Sequence, residues 1–374
     1  MPANRFDPIS SLARPVMHGL RELPIRMRAI RQGRGARIVL LPAYGREGAA
    51  LLRIYNVAEV LQRRGVDLHV LPPKLTLAGR RRCLAALNPD VVLMQGTRHA
   101  LNRPALYPDQ RIFLDLDDGD FHLPHLAPSV REAMRHVDGV TAGSAYLADW
   151  CRQAGARAVH VIWTGAPISQ QVRPPQAGRP PVLAWSQTRP MTYTHEAALL
   201  RDVIRAVGAA HPGVTLRLYD RCAGDDPAFA QSFEAPGVTV EWFERAGYAS
   251  YLKSFDDVAI GLAPLVEIDP FCRGKSFGKV LAYLDRQVPV VASDAGEPRA
   301  FFTPETGRLC KTGADWRRAI GDLLRDDAAR TRLAAAAFTA FRRDLSVEKA
   351  ATDLMAVLET ALLVPYAPRV AAAG

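Results

Sequence analysis

Apolar runs bounded by glycine, proline or polar residues alternate with amphipathic segments along most of the chain. Such runs are typical of buried strands, whereas apolar residues spaced three and four apart are typical of helices. Strands are predicted over residues 38–41, 66–71, 91–94, 111–114, 159–163, 182–185, 214–219, 238–243, 258–262 and 288–292. Helices are predicted over residues 49–64, 78–87, 146–155, 196–210, 248–255, 314–324 and 346–363, and from Lys275 and Ala328 onward. This alternation predicts an α/β fold with parallel sheets.

One segment interrupts the alternation and divides the chain into two domains. Residues 173–181 read RPPQAGRPP, and this density of proline and glycine favours an extended linker. A chain of 374 residues is also long for a single hydrophobic core. We therefore expect a first domain over 37–172, a second over 182–345, and a C-terminal helix and tail over 346–374.

The composition is typical of a soluble globular protein. Hydrophobic residues make up 48% of the chain and charged residues 23%. We find no apolar run long enough to cross a bilayer and no secretory signal at the start, so a cytoplasmic location is expected. The five cysteines are scattered without paired spacing or nearby histidines, which predicts reduced, mostly buried thiols rather than disulfides or a zinc site.

The positive charge is concentrated at the N-terminus. Residues 1–37 carry eight arginines and two acidic residues, so +6 of the net charge of +10 lies in this segment, most of it in a basic arm placed at 1–36. Apolar residues spaced three and four apart over 9–31 are typical of a helix on an anionic membrane surface, which would make the protein peripheral. Prolines and a glycine within the arm leave a broken helix packed on its own domain, or a disordered leader, as alternatives. Few aromatic residues interleave with the arginines, so nucleic acid is not expected as a partner.

The strongest candidate site is the loop before the helix predicted to begin near Lys275. Arg273 and Lys275 flank Gly274 there, so backbone N–H groups, the helix dipole and two cationic side chains could converge on one phosphate. Lys275, Lys279 and Ala282 share one stripe of that helix, which would face a cleft or solvent. A solvated basic turn is the alternative, and it is the commoner meaning of so short a pattern.

This loop belongs to a longer run that resembles the donor-site signature of glycosyltransferase family 4 and related retaining glycosyltransferases of the GT-B fold. The run reads PFCRGKSFGKVLAY and is followed by VPVVASD. Shorter stretches resemble the same group, namely RIYN before AEVLQRRG, then DLDD, and VTAGSAYLADW. The family commonly has glutamates where this chain has Ala282 and Gly274, and the first of those glutamates is held to bind the donor ribose.

The resemblance implies both a fold and an activity. The fold would be α/β of the GT-B type, with two Rossmann-like domains whose parallel sheets face each other across an interdomain cleft. The C-terminal helix and tail over 346–374 would pack back on the first domain, as the last helix does in that family. The activity would be that of a retaining hexosyltransferase, which moves a sugar from a nucleotide-diphosphate donor to a glycan, a lipid-linked acceptor or a small molecule. Neither a metal nor a cofactor is expected, since the nucleotide sugar is itself the co-substrate.

The candidate site residues fall into three groups, and no catalytic residue is assigned. The resemblance makes Arg273 and Lys275 ligands of the donor diphosphate, to which we add Gly274, Ser276 and Arg189. The donor cleft would be lined by Lys279, Ala282, Asp269, Phe271 and Glu244. The acceptor cleft would be lined by Gly45, Arg46, Gly48, Arg98, His99, Asp117 and Asp118.

For several of these positions an alternative without any functional role stays open. In that alternative, Arg189 and Arg53 are exposed arginines, and His99 is an exposed loop histidine. The carboxylates between Asp115 and Asp120 do not fit a calcium-loop template, so they are interpreted as cleft lining or loop structure rather than a metal site.

Two other functions remain open. The missing glutamates favour a non-catalytic GT-B protein that binds a nucleotide sugar or a partner as a regulatory or scaffold subunit. The basic arm alone would favour a membrane-surface or nucleic-acid binding module.

Overall fold

The computed structural model describes residues 37–363 together with Glu22, Pro24 and Ile25. The membrane-facing pattern predicted over 9–31 therefore lies, apart from those three residues, outside the described part of the chain. The described residues form two compact units. Among the described residues, unit 1 comprises those up to Ala142, Leu147–Ile162 and those from Ala351 onward, and unit 2 comprises Gly143–Tyr146 and Trp163–Ala350.

Unit 1 is built on a six-stranded parallel sheet. Its strands are β1 (Arg37–Leu41), β2 (Asp67–Val70), β3 (Val91–Gln95), β4 (Ile112–Leu116), β5 (Gly139–Ala142) and β6 (Val159–Val161). Their order across the sheet is β2-β1-β3-β4-β5-β6, and every pairing is parallel. The chain moves from β1 to β2 on one side and returns to place β3 on the other. The carboxyl ends of β1 and β3 thus border the point where the strand order reverses.

Unit 2 is built on a second six-stranded parallel sheet. Its strands are β7 (Val182–Trp185), β8 (Val214–Arg221), β9 (Val238–Glu244), β10 (Ile260–Ala263), β11 (Val290–Ser293) and β12 (Arg308–Cys310). Their order is β12-β11-β10-β7-β8-β9, again with parallel pairing throughout. The order reverses between β7 and β10. The predicted α/β class, with two Rossmann-like units and parallel sheets, is confirmed.

Helices connect the strands of both units. The α-helices longer than one turn are Asn56–Arg63, Leu77–Leu87, Ala127–His136, Ala145–Gln153, Thr194–Ala210, Tyr248–Lys253, Val280–Asp285, Gly296–Phe301, Gly313–Arg325, Asp327–Asp344 and Val347–Leu362. Shorter helical segments are Gly48–Ala50, the π-helical Leu51–Tyr55, Pro104–Leu106, Asp120–His122, Pro190–Thr192, Ala228–Gln231, Pro270–Arg273 and Phe277–Lys279. In the described part of the chain, no helix has both the length and the apolar character that crossing a bilayer requires. Four of the five cysteines are buried, as predicted.

The predicted helix start near Lys275 is wrong. A short helix, Pro270–Arg273, precedes this position, and the next helical turn begins only at Phe277. The backbone N–H groups of Gly274 and Lys275 donate to the carbonyls of Phe271 and Cys272, at 3.2 and 3.1 Å. Those donors close the first helix, so they are not available to an anion. The sequence pattern also gave no indication of the helix Ala127–His136.

Tyr283 ties the centre of the second sheet together. Its side chain is fully buried, and its hydroxyl donates to the carbonyl of Ala184 at 2.9 Å and accepts from the N–H of Ser186 at 2.7 Å. Its ring lies against Gly261 in β10, where an added Cβ would come within 2.6 Å of a ring carbon. Only glycine therefore leaves room for this ring.

We expect Gly261→Ala to lower the free energy of unfolding by about 1–3 kcal/mol, because the methyl group must displace a buried ring. Gly313→Ala is the matched control: its Cβ would meet only an ordinary contact at 3.5 Å, and alanine favours the helix that begins there. Urea denaturation of both variants measures the difference. Equal midpoints would contradict the packing argument.

Candidate functional site

The reversal of strand order in unit 2 marks the place where ligands gather in open α/β sheets. The loops after β7 and β10 both leave the sheet at this point. The first carries Thr188 and Arg189, and the second runs from Pro264 to Ser276. The helical turn Phe277–Lys279 follows the second loop, and the ammonium group of Lys279 contacts the hydroxyl of Thr188 in the first.

Lys275 lies over aromatic rings rather than at a helix start. Its ammonium nitrogen is 4.3 Å from the ring centroid of Phe271 and 5.9 Å from that of Tyr193. A pocket of about 270 Å³ adjoins these rings, lined by residues 192–196 with Asp269 and Phe271. Arg273 is exposed, and its Nε donates to the carbonyl of Glu267 at 3.2 Å. Lys275 therefore lies beside two aromatic residues that line a pocket, whereas Arg273 bonds to the backbone of its own loop.

Several side chains fix the segment that carries Gly274 and Ser276. The Ser276 hydroxyl lies 3.1 Å from that of Thr164, and the hydroxyl of Ser144 lies 3.5 Å from the carbonyl of Gly274. Trp163 packs edge-on against Phe277, with ring centroids 5.1 Å apart. These contacts hold the loop backbone in one conformation.

Glu297 fixes Trp163, one of the side chains that contact this segment. Its carboxylate accepts the N–H of Ala145 at 2.8 Å and the indole N–H of Trp163 at 2.5 Å. Burial raises the pKa of Glu297, although both donors oppose the shift. No local sequence pattern indicates a role for Glu297, because its partners lie far away in the chain.

We expect the stability of the wild type relative to Glu297→Gln to fall as the pH rises. With a raised pKa, the folded protein holds this proton more tightly than the unfolded chain does. The resulting stabilisation is complete below the unfolded-state pKa and is lost as the pH rises through the folded-state pKa. Urea denaturation from about pH 4 to about pH 8 measures the difference. A difference that does not vary with pH would contradict this prediction.

A second group of charges lies at the carboxyl ends of β7 to β9. The guanidinium of Arg189 donates to Asp225 at 2.8 Å, and its side chain is 44% exposed. The backbone N–H of Arg189 donates to Asp220 at 2.9 Å, and Arg245 binds the same carboxylate at 2.6 Å. Arg189 is thus half-exposed but paired. No contact in the described part of the chain joins it directly to Arg273 or Lys275.

The remaining predicted donor-cleft residues differ in their surroundings. Ala282 is only 3% exposed, so the prediction that it shares an outward-facing stripe with the lysines is wrong. Lys275 lies outside any helix and Lys279 ends the short turn Phe277–Lys279, so the three residues do not share one face of a regular helix. Glu244 is largely exposed and pairs with Arg221 at 2.6 Å. Asp269 caps the short helix Pro270–Arg273 by accepting the N–H of Phe271 at 2.9 Å.

In unit 1, Arg53 forms a buried ion pair at the end of β4. Its Nε and Nη2 bind both oxygens of Asp115, at 2.9 and 2.6 Å, and its Nη1 lies 3.6 Å from Asp117. Burial alone would lower the pKa of Arg53, but these carboxylates outweigh it and raise the pKa. The residue belongs to the π-helical turn Leu51–Tyr55, an irregularity often found at functional sites. The alternative of an exposed helix residue is therefore wrong.

Arg98 binds the next carboxylates of the same loop. It contacts Asp118 at 2.8 Å and Asp120 through Nε at 2.9 Å. The acidic run is therefore partnered by arginines, which agrees with its interpretation as loop structure. Arg46, which lies between Gly45 and Gly48, forms an ion pair with Glu59, outside this acidic run.

His99 is half-buried rather than exposed, so its alternative interpretation is also wrong. Its Nδ1 accepts the N–H of Leu101 at 3.0 Å, and Nη2 of Arg80 lies 3.3 Å from both ring nitrogens. Burial and Arg80 together lower the pKa of His99. The ring is accordingly neutral at physiological pH.

Comparison with known proteins relates the fold to solved structures. No family model matches the sequence, and no curated protein matches it. Sucrose-phosphate synthase from Thermosynechococcus elongatus is 11% identical, with 88% of this chain and 100% of that one covered, and a TM-score of 0.67. An alpha-glucosyltransferase in complex with UDP and DNA is 11% identical, with 86% and 99% covered and a TM-score of 0.64. HepE from Anabaena, in complex with UDP and glucose, is 17% identical, with 87% and 100% covered and a TM-score of 0.60.

These likenesses, together with the two parallel sheets, confirm the predicted GT-B fold. At such low identity they establish the fold alone. Membership of family 4 stays a prediction.

Proposed function

We propose that the protein is a glycosyltransferase that binds a nucleotide-diphosphate sugar in unit 2. The observation that carries this proposal is the concentration of cationic side chains where the strand order reverses between β7 and β10. Lys275 and Lys279 both belong to the segment after β10, and Lys279 contacts the loop after β7. Solved structures of the same fold in complex with UDP or UDP-glucose support the choice of ligand.

The cations would stabilise the charge that develops as the nucleoside diphosphate leaves. Positive groups fixed where negative charge accumulates lower the barrier electrostatically, and they do so without a metal ion. Lys275, Lys279 and Arg273 are the residues to which we assign this role. Transfer with retention of configuration, to a glycan, lipid-linked or small-molecule acceptor, is part of the proposal. The loops after β1 and β3 of unit 1, with Arg98 and His99, would contact the acceptor.

The basic arm would place the enzyme at an anionic membrane surface on the cytoplasmic side. This part of the proposal is supported by the sequence pattern of residues 9–31. It is independent of the donor site, so it has its own test. Removal of residues 1–36 should weaken binding to anionic vesicles and leave nucleotide binding intact.

A second candidate is a non-catalytic protein that binds the same nucleotide sugar. It is favoured by Ala282, which is buried and offers no polar group where the family has a glutamate. Fold likeness does not decide between the two, because one fold hosts many functions.

The test combines binding with turnover. Thermal shift and calorimetry with UDP, GDP and their sugars should reveal one preferred nucleotide, which at a hundredfold excess over its Kd stabilises the fold by about 2.7 kcal/mol. Release of nucleoside diphosphate from the preferred donor, measured with and without a mixture of glycan and lipid acceptors, then separates the candidates. Acceptor-dependent release supports the transferase. Tight binding without release supports the non-catalytic protein, and absence of binding overturns both.

A further inference from the structure

The loops that follow β7, β8 and β9 meet around one carboxylate, that of Asp220. This residue is the last but one of β8, and its backbone is left-handed, with a φ of 65°. The pairing of β8 with β9 is irregular here, with a register shift between Leu218 and Arg221. Ladder irregularities and left-handed residues other than glycine are costly and are common beside functional sites.

The partner of Asp220 in the next loop has the same unusual backbone. Arg189 has a φ of 51°, and its backbone N–H donates to Oδ2 of Asp220 at 2.9 Å. Two of the four left-handed residues other than glycine in the described part of the chain are thus bonded to each other. The two loop ends are held at a fixed separation.

The carboxylate of Asp220 is ionised and within reach of solvent. Burial alone would raise its pKa, but hydrogen bonds from Arg245 and Arg189 outweigh this effect, and Lys279 lowers the pKa further. The side chain is 13% exposed. It accepts hydrogen bonds from the N–H of Arg189 and from two nitrogens of Arg245. A carboxylate accepts about four hydrogen bonds, which leaves capacity for another donor.

The topology gives this position a meaning. With β7 as first strand and β8 as second, the order β12-β11-β10-β7-β8-β9 is that of the dinucleotide-binding sheet. In that sheet, an acidic residue at the carboxyl end of the second strand binds a ribose hydroxyl. Asp220 stands at that end of β8, whereas Ala282 is buried and has no polar group.

We propose that Asp220 accepts a hydrogen bond from a ribose hydroxyl of the bound nucleotide, with the 5′-phosphate directed toward Lys279. This inference rests on the proposed function and deepens it, because it names the part of the donor that the chain recognises. It also accounts for how ribose is held without a glutamate at position 282.

The test compares ribonucleotides with deoxynucleotides on the full-length protein. UDP or GDP, whichever binds, is titrated calorimetrically beside its 2′-deoxy and 3′-deoxy analogues. The wild type should bind the ribonucleotide about tenfold more tightly than at least one analogue, the effect of one hydrogen bond to a charged group. Asp220→Gly should abolish this preference and bind that analogue as the wild type does. Glycine suits the left-handed backbone, so this variant removes the carboxylate without straining the backbone at position 220.

Two further variants sharpen the result. Asp220→Asn keeps the side-chain shape and tolerates the same backbone, so it should reduce the preference without disturbing the fold. Asp226→Asn removes an exposed carboxylate from the same loop and should keep the full preference.

Other outcomes overturn the inference, and they are distinguishable. A preference that survives in Asp220→Gly removes Asp220 from the ribose site but leaves the proposed function standing. Equal loss of ribo- and deoxynucleotide binding in both Asp220 variants, with unchanged circular dichroism, means that the residue shapes the loop instead. A wild type that binds neither UDP nor GDP overturns the proposed function and this inference together.

Discussion

Replacing Arg53 with alanine is expected to lower the free energy of unfolding by about 3–5 kcal/mol, because the variant leaves a buried carboxylate without its counter-ion. Both oxygens of Asp115 are bound by the Arg53 guanidinium, and the two side chains are 3% and 4% exposed. The hydroxyl of Thr141 also donates to Asp115, at 2.8 Å, but it carries no charge. Urea denaturation followed by circular dichroism measures the effect.

A surface ion pair of the same unit provides the control. Arg152 and Asp149 lie 2.7 Å apart on one helix, with side chains 52% and 65% exposed. Solvent screens such pairs, so Arg152→Ala should cost no more than about 1 kcal/mol. If Arg53→Ala lowers the free energy of unfolding no more than this control does, the buried Arg53–Asp115 pair contributes no more to stability than a surface pair.

The double variant Lys275→Ala/Lys279→Ala is expected to weaken nucleoside-diphosphate binding by about a hundredfold or more, since each ammonium is assigned a charge-assisted hydrogen bond to phosphate. The two lysines occupy different surroundings. Lys275 lies over Phe271, and Lys279 contacts Thr188. Each single variant should therefore show a separate, smaller loss. Calorimetric titration with UDP and GDP gives the affinities.

The matched control removes the same charge elsewhere in unit 2. Lys253→Ala/Lys311→Ala deletes two exposed lysines outside the proposed site and should change the affinity less than twofold, about the effect expected of screened charges. Equal losses in the two double variants would mean that overall charge, rather than a phosphate site, attracts the nucleotide. In that case the assignment of Lys275 and Lys279 fails.

The sheets could be predicted from the sequence because parallel strands are local apolar runs. Val182–Trp185 was predicted with the bounds observed, and most other strands within two residues. The ends of helices are harder to predict from the sequence. The chain between Pro270 and Phe277 forms one short helix, a break and a new turn, and the break depends on hydrogen bonds that close at Gly274. Nothing in the spacing of Arg273 and Lys275 signals that closure.

The charges of the site could be identified, but not their partners. Arg189 and Lys279 were chosen from position, whereas their contacts with Asp225 and Thr188 span 36 and 91 residues of sequence. The burial of Arg53 could not be inferred from the sequence either, because its carboxylate partner, Asp115, lies on β4, 62 residues away. The place of Asp220 at the end of a predicted strand is visible in the sequence. It indicates a binding role only when the strand order is known, and the strand order is decided by the tertiary structure.

The buried phenol of Tyr283 has a consequence for the rate at which the proposed nucleotide would bind. It belongs to the helical segment that follows Lys279, and its hydroxyl bonds to the backbone at Ala184 and Ser186, where the loop carrying Thr188 begins. These hydrogen bonds tie the backbone that leads into the Thr188 loop to the helix that follows Lys279, so we expect both to be in place before a ligand arrives. A preorganised site loses little conformational entropy on association, so binding of the proposed nucleotide should need no slow rearrangement of this part of unit 2.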